Sequence, residues 1–202
     1  MAFIKDKRVF ALKSLIHVVS LGLLSNTFWL AVNDNLGADP VEALLHFTGI
    51  GALNILMLTL LVTPISQKLK ISWLMQCRRL LGLYCFFYAS CHLLAFLFFE
   101  VQFDWRLFFA EIVERPYITV GMAAFSILFV LAVTSWSKVK RKLGRKWQSI
   151  HNYTYLALLL IAVHFYWSVK SEIIEPAIYI VICLFLLSLR KRKFKQWFIR
   201  RQ

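Results

Sequence analysis

The sequence predicts an all-α integral membrane protein, a bundle of six transmembrane helices with both termini in the cytoplasm. Three observations carry that prediction. Of the 202 residues, 60% are hydrophobic and 17% charged, against roughly 45–50% and about 25% in soluble globular chains. The apolar residues gather into six long stretches. Lys and Arg fall almost entirely between alternate stretches. With a mean hydropathy of +0.66, an ordinary cytosolic domain, a disordered chain and a secreted disulfide scaffold are excluded.

A helix needs about 17–25 mostly apolar residues to cross a bilayer. The expected spans are residues 9–32, 44–65, 80–99, 117–136, 150–169 and 173–189, the last being Ala177–Leu189 extended by Ile173 and Ile174. Together they form a single transmembrane domain, followed by a basic tail over 190–202. Pro40, Pro116 and Pro176 stand at or just before helix starts, where a missing N–H costs little. Pro64 stands near the end of the second span. No run alternates apolar and polar residues in the manner of a barrel strand. The first stretch is too long for a signal-peptide core and no small-residue cleavage site follows it, so it reads as an uncleaved first helix.

Orientation follows from the basic residues. Twenty-one of the 24 Lys and Arg lie on one side: in the N-terminus to Lys13, in Ser66–Arg79, in Ser137–Ser149 and in the tail from Arg190. The positive-inside rule places that side in the cytoplasm. Nine of the ten acids lie on the other. The net charge of +14 is therefore topological, and no nucleic-acid partner is expected. The tail also suits anionic membrane lipid. Trp29, Trp105 and Trp167 mark the outer interface, and Trp136 and Trp147 the inner one.

The loops are too short for a soluble catalytic domain, and no dinucleotide, P-loop or nucleophile-elbow motif occurs. Cys77, Cys85, Cys91 and Cys183 lie in or beside spans without a CxxC pair, which suits small apolar packing rather than a disulfide or zinc.

The five histidines carry the functional signal, since ionisable groups within a membrane are costly. Neutral imidazole is a common axial ligand of haem iron. At about 1.5 Å of rise per residue, His92 lies about 12 Å and His164 about 9 Å from the outer edge, so they match in depth. On the inner side His151 lies about 8 Å deep and His17 about 6–13 Å, a looser match. His46 sits nearer the outer headgroups, where quinol chemistry, partner docking or a helix-start polar contact are all open. For each histidine the competing reading is a hydrogen bond to a neighbouring helix. His151 and His164 are 13 residues apart, about 20 Å of rise, but their azimuths differ by roughly 140° in a straight helix. A bend must absorb that angle if both serve stacked haems. The position 13 residues before His92 is Arg79, with Arg78 beside it. Those arginines suit a propionate, a phosphate or a membrane anchor. Gly22, Gly49, Gly51, Gly82 and Gly121 lie in spans, where they admit a neighbouring helix or a flat cofactor.

A set of collinear motifs then becomes recognisable. It begins with Gly37-Ala38-Asp39-Pro40-Val41 and His46-Phe47-Thr48-Gly49. It continues through Arg78-Arg79-Leu80-Leu81-Gly82-Leu83 with His92-Leu93, and Arg115-Pro116-Tyr117. It ends with Lys142-Leu143-Gly144-Arg145-Lys146-Trp147-Gln148, His151-Asn152, and His164-Phe165-Tyr166-Trp167-Ser168-Val169-Lys170. In this the chain resembles the MsrQ (YedZ) family, the haem-binding membrane subunits of bacterial periplasmic methionine-sulfoxide reductase systems. More distantly it resembles the ferric-reductase-like transmembrane domain. The resemblance implies one or two b-type haems, FMN, and multi-pass residence in the bacterial inner membrane. It implies electron transfer from quinol to a periplasmic molybdenum-containing methionine-sulfoxide reductase subunit, where the oxidised envelope protein is repaired. It carries the haem-ligand role onto His92, His164 and His151; His17 is a candidate from depth alone. Ferric reductases carry an inner histidine on the third helix where arginine stands here.

The leading expectation is thus an electron conduit between separate donor and acceptor. A self-contained ferric-reductase-like oxidoreductase fed by a cytosolic flavin reductase is the alternative. A small transporter or scaffold is the third reading, but neither internal repeats nor broken helices are evident in the sequence.

Overall fold

The computed structural model describes residues 6–169 and 173–190. Residues 170–172, among them Lys170 and Glu172, and the basic tail from residue 191 lie outside the described residues. All regular structure among the described residues is helical. The elements are α1 (Lys7–Val32), α2 (Pro40–Lys68), a 3₁₀ segment (Ser72–Cys77), α3 (Arg78–Ala95) with a π-helical end (Phe96–Glu100), α4 (Trp105–Glu114), α5 (Pro116–Thr134), α6 (Ser137–Leu143), α7 (Lys146–His151), α8 (Thr154–Ser168) and α9 (Ile174–Ser188).

Local chemistry starts these helices. The Asp39 carboxylate accepts the N–H groups of Val41 and Glu42 at 3.0 and 2.9 Å, with Pro40 at the first helical position. Asp104 caps α4 in the same way through Arg106 and Leu107. Pro116 opens α5. Pro64 lies inside α2, so the carbonyl of Leu60 has no N–H four residues on. The buried Arg190 guanidinium supplies the missing donor at 2.8 Å and ties the end of α9 to α2.

The layout is built from two antiparallel pairs. α3 lies along α2, and α8 along α5. The pairs meet through α3 on α5 and α2 on α8; α9 packs on α8 and α2, and α1 rests outside on α2 and α3. The core sits where five helices, α2, α3, α5, α8 and α9, converge, around Leu53, Leu56, Cys85, Leu128, Leu158 and Cys183.

The outward faces are apolar. Val18 is 69% exposed at the middle of α1, and Val181 and Phe185 are 66% and 59% exposed on α9. Apolar surface on this scale is stable against lipid and not against water. Lys7–Val32, Pro40–Lys68, Ser72–Glu100 and Pro116–Thr134 are long and apolar enough to cross a membrane; α9 is a shorter apolar helix.

The structure adds three details to the expected segments. The third stretch ends in a π-turn, and Gln102 and Phe103 beyond it adopt left-handed backbone (φ 50° and 59°). The outer loop that follows contains α4, which buries Phe108 against Phe96 and exposes Phe109 and Val113. The stretch carrying His151 and His164 is not one helix: a turn at Asn152–Tyr153 separates α7 from α8.

Gly51 marks the tightest contact between α2 and α3. A Cβ there would lie 2.6 Å from the Tyr88 ring, whose hydroxyl donates to the Ser20 carbonyl of α1 at 2.6 Å. Gly51→Ala is expected to lower stability by about 1–3 kcal/mol, the usual range for overpacking. Thermal unfolding in detergent reads this, and an unchanged midpoint would contradict it.

Candidate functional site

His92, near the end of α3, and His164, near the end of α8, are brought together at the end of the bundle where α2 and α5 begin. Their ring centroids are 6.2 Å apart and their planes nearly perpendicular, at 87°. Both rings are half-buried.

Each ring is held by the neighbouring helix of its pair. His92 Nδ1 lies 2.9 Å from the Leu45 carbonyl on α2, and His164 Nδ1 lies 2.7 Å from the Tyr117 carbonyl on α5. A carbonyl oxygen only accepts, so both Nδ1 atoms carry the proton and donate it. In the neutral ring that tautomer leaves the lone pair on Nε2, the state in which imidazole binds a metal. The Thr48 hydroxyl, which donates to the Leu44 carbonyl at 2.7 Å, stands 3.4 Å from His92 Nδ1. Tyr117 also lays its ring 6.0 Å from that of His164.

The separation fits one metal between the rings. With metal–nitrogen bonds of about 2.0 Å and a nitrogen roughly 1.1 Å from its ring centroid, two imidazoles on one metal would place their centroids about 6.2 Å apart. Two imidazoles alone do not make a metal site. No group of three or more His, Cys, Asp or Glu able to hold an ion occurs among the described residues. The pair therefore suits a metal that arrives with its equatorial ligands already supplied by a macrocycle, and haem meets that requirement.

The other histidines are placed differently. His151 ends α7 beneath the stacked Trp147 ring, with centroids 4.0 Å apart, and Lys140 caps the stack 4.3 Å above Trp147. The Thr134 hydroxyl, with the Val130 and Leu131 carbonyls at 2.7 and 3.2 Å, also stands 3.1 Å from His151 Nε2. Arg78, whose Nη1 donates to the Thr63 hydroxyl at 3.4 Å, lies within electrostatic reach of His151. His17 is exposed on α1 and shares a 2.5 Å hydrogen bond with the Tyr84 hydroxyl of α3. α1 borders α2, α3 and the Ser72–Cys77 segment, whereas α7 borders α5 and α6, so the packing sets these two histidines against different neighbours. His46 pairs with Glu175 at 3.3 Å, both exposed, and its ring lies 6.1 Å from Phe165, next in sequence to His164.

Depth matching in the sequence singles out the outer pair but not what holds it. Leu45 and Tyr117 hold the rings through backbone carbonyls, which no side chain announces. Their signal is a spacing: each histidine follows its carbonyl partner by 47 residues.

Comparison with known proteins places this geometry. The family model described as "Ferric reductase like transmembrane component" matches residues 48–162. Relatives named "protein-methionine-sulfoxide reductase heme-binding subunit MsrQ" are similar over nearly the whole chain. That of Klebsiella pneumoniae is 41% identical over 95% of this chain and 95% of its own. That of Salmonella arizonae is 41% identical over 95% and 96%. That of Pectobacterium atrosepticum is 44% identical over 92% and 94%. No solved structure matches significantly.

Proposed function

The chain belongs to the MsrQ family within the ferric-reductase-like transmembrane proteins, and from that membership we propose that it is the haem-binding, electron-transferring membrane subunit of a protein-methionine-sulfoxide reductase system. In this reading it takes electrons from quinol in the bacterial inner membrane. It delivers them to a periplasmic, molybdenum-containing reductase subunit that repairs oxidised methionine in envelope proteins. The chain crosses the membrane six times with both termini in the cytoplasm, which the 21-to-3 split of basic residues supports.

The observation that carries the proposal is the His92–His164 pair, with its 6.2 Å ring separation and both Nδ1 protons committed to backbone carbonyls. His92 and His164 would hold a b-type haem from opposite sides, and bound haem supplies a one-electron carrier. Leu45 and Tyr117 fix the tautomers, and the apolar helices around the pair keep water from the rings. His151 is the inner ligand candidate carried by the family resemblance. FMN belongs to the proposal as a second redox group.

The purified protein, reconstituted in lipid, is expected to show a low-spin b-type spectrum that becomes reduced when a quinol analogue is added. It is expected to be reoxidised by the periplasmic reductase with its sulfoxide substrate. Reduction only by a nicotinamide-fed flavin reductase would replace the quinol leg with the ferric-reductase-like alternative. Flavin released on denaturation, counted against haem, tests FMN. Reporter fusions at Asp104 and Gln202 test topology: a periplasmic signal at Asp104 and a cytoplasmic one at Gln202 are expected, and a periplasmic signal at Gln202 would overturn the orientation.

A further inference from the structure

The two halves of the outer site are the same device used twice. On α2 the acceptor carbonyl is Leu45 and a glycine follows one turn later at Gly49; on α5 they are Tyr117 and Gly121. His92 and His164 follow their glycines by the same 43 residues, and a shift of 72 residues carries Leu45, Gly49 and His92 onto Tyr117, Gly121 and His164. The glycines are where the rings land. A Cβ on Gly49 would stand 3.1 Å from His92 Nδ1 and 3.2 Å from its Cε1. A Cβ on Gly121 would stand 2.8 Å from both Nδ1 and Cε1 of His164. The absent methyl is thus the space through which each Nδ1–H reaches a carbonyl one turn below. Not every helical glycine here behaves this way: Gly22 faces open space, Gly82 meets only a Thr59 methyl at 4.0 Å, and Gly51 receives a tyrosine.

We propose that Gly49 and Gly121 are positioning residues for the haem ligands: by omitting Cβ they let each imidazole dock on its helix, so that its tautomer and the direction of its Nε2 lone pair are set by α2 and α5. The proposal rests on the reading that His92 and His164 are axial ligands. It assigns the orientation of the ring, which a ligand's partner groups normally control, to two positions without a side chain. It also ranks them. At 2.8 Å the His164 ring must move and its 2.7 Å bond to Tyr117 must stretch or break; at 3.1 Å the His92 ring needs to give only a few tenths of an ångström.

The test compares haem-loaded wild type with Gly49→Ala, Gly121→Ala and Gly51→Ala. It reads the low-temperature electron paramagnetic resonance of the ferric form and the haem-to-protein ratio of the folded fraction. Loss of a group that orients a metal ligand commonly weakens metal binding about 10–100-fold. Gly121→Ala is expected to shift the low-spin g values and to lose haem in about that range on dilution. Gly49→Ala should shift the signal less and retain more haem. Gly51→Ala, whose added methyl makes the closest contact of the three but meets Tyr88, should yield less folded protein with an unshifted signal. Wild-type g values in both Gly49→Ala and Gly121→Ala, or an equal shift in Gly51→Ala, would overturn the assignment. If Gly121→Ala does not fold, the milder Gly49→Ala decides. Wild-type haem retained in both His92→Ala and His164→Ala would overturn the parent reading instead; haem lost there with unshifted glycine variants overturns only this one.

Discussion

His164→Ala is expected to leave the protein without the haem of its outer site. In the proposed reading the substitution removes one of the two imidazoles that would hold the haem, and it leaves the Tyr117 carbonyl without the ring N–H it receives at 2.7 Å. His92→Ala does the same to Leu45, which receives its N–H at 2.9 Å. Because the two rings lie 6.2 Å apart, a haem held between them would keep a single imidazole in either variant. Affinity then falls by more than the 10–100-fold attached to a lost orienting group. Haem per protein, measured as the pyridine haemochrome, should drop steeply in both variants, and free imidazole in the buffer should restore part of the low-spin spectrum. Full haem in both variants would show that the pair is a packing contact. His151→Ala serves as the comparison: its ring lies under Trp147 at the other end of the bundle, so the outer spectrum should survive.

The second large effect concerns stability. Arg190→Met is expected to cost about 1–3 kcal/mol, the penalty for leaving a buried carbonyl unpaired, because Pro64 gives Leu60 no N–H and Arg190 supplies one at 2.8 Å. Removing a buried cation recovers desolvation energy and pulls the other way, so the single variant does not isolate the hydrogen bond. A double-mutant cycle does. Pro64→Ala restores the helical N–H, and in that background Arg190→Met should cost about 1 kcal/mol less than in the wild type. Reversible unfolding in mixed detergent measures all four corners. Strict additivity would show that Arg190 contributes nothing through Leu60.

The membrane character of the chain is legible from composition because apolar residues outnumber what any water-soluble core can hold. The outer pair, His92 and His164, is legible because depth along a helix is a counting problem. Three things are not. The Asn152–Tyr153 turn holds no proline or glycine, and Asn152 is the one turn-favouring residue in it, so the stretch reads on into the apolar helix that follows. α4 has only ten residues and reads as an outer loop, although Asp104 announces its start. The glycine–carbonyl cradles are invisible because backbone carbonyls have no sequence signature. The 72-residue correspondence rests on three positions, too few to stand out as a repeat before the hydrogen bonds pick them out.

The division of the bundle into an α2–α3 pair and an α5–α8 pair has a consequence for the order of assembly. Each half carries one imidazole together with the carbonyl that holds it. At about 5–20 residues per second of synthesis, the 72 residues between His92 and His164 take roughly 4–14 s to appear. During that interval the first hairpin must remain in the bilayer with one half of the site complete and nothing opposite it. The Leu45 carbonyl and the space at Gly49 keep the His92 ring oriented through the wait, so no partner is needed to hold that half ready. In the proposed reading, closure of the site is therefore a late event, dependent on the second hairpin entering the membrane, and the haem would join two hairpins that have each already formed.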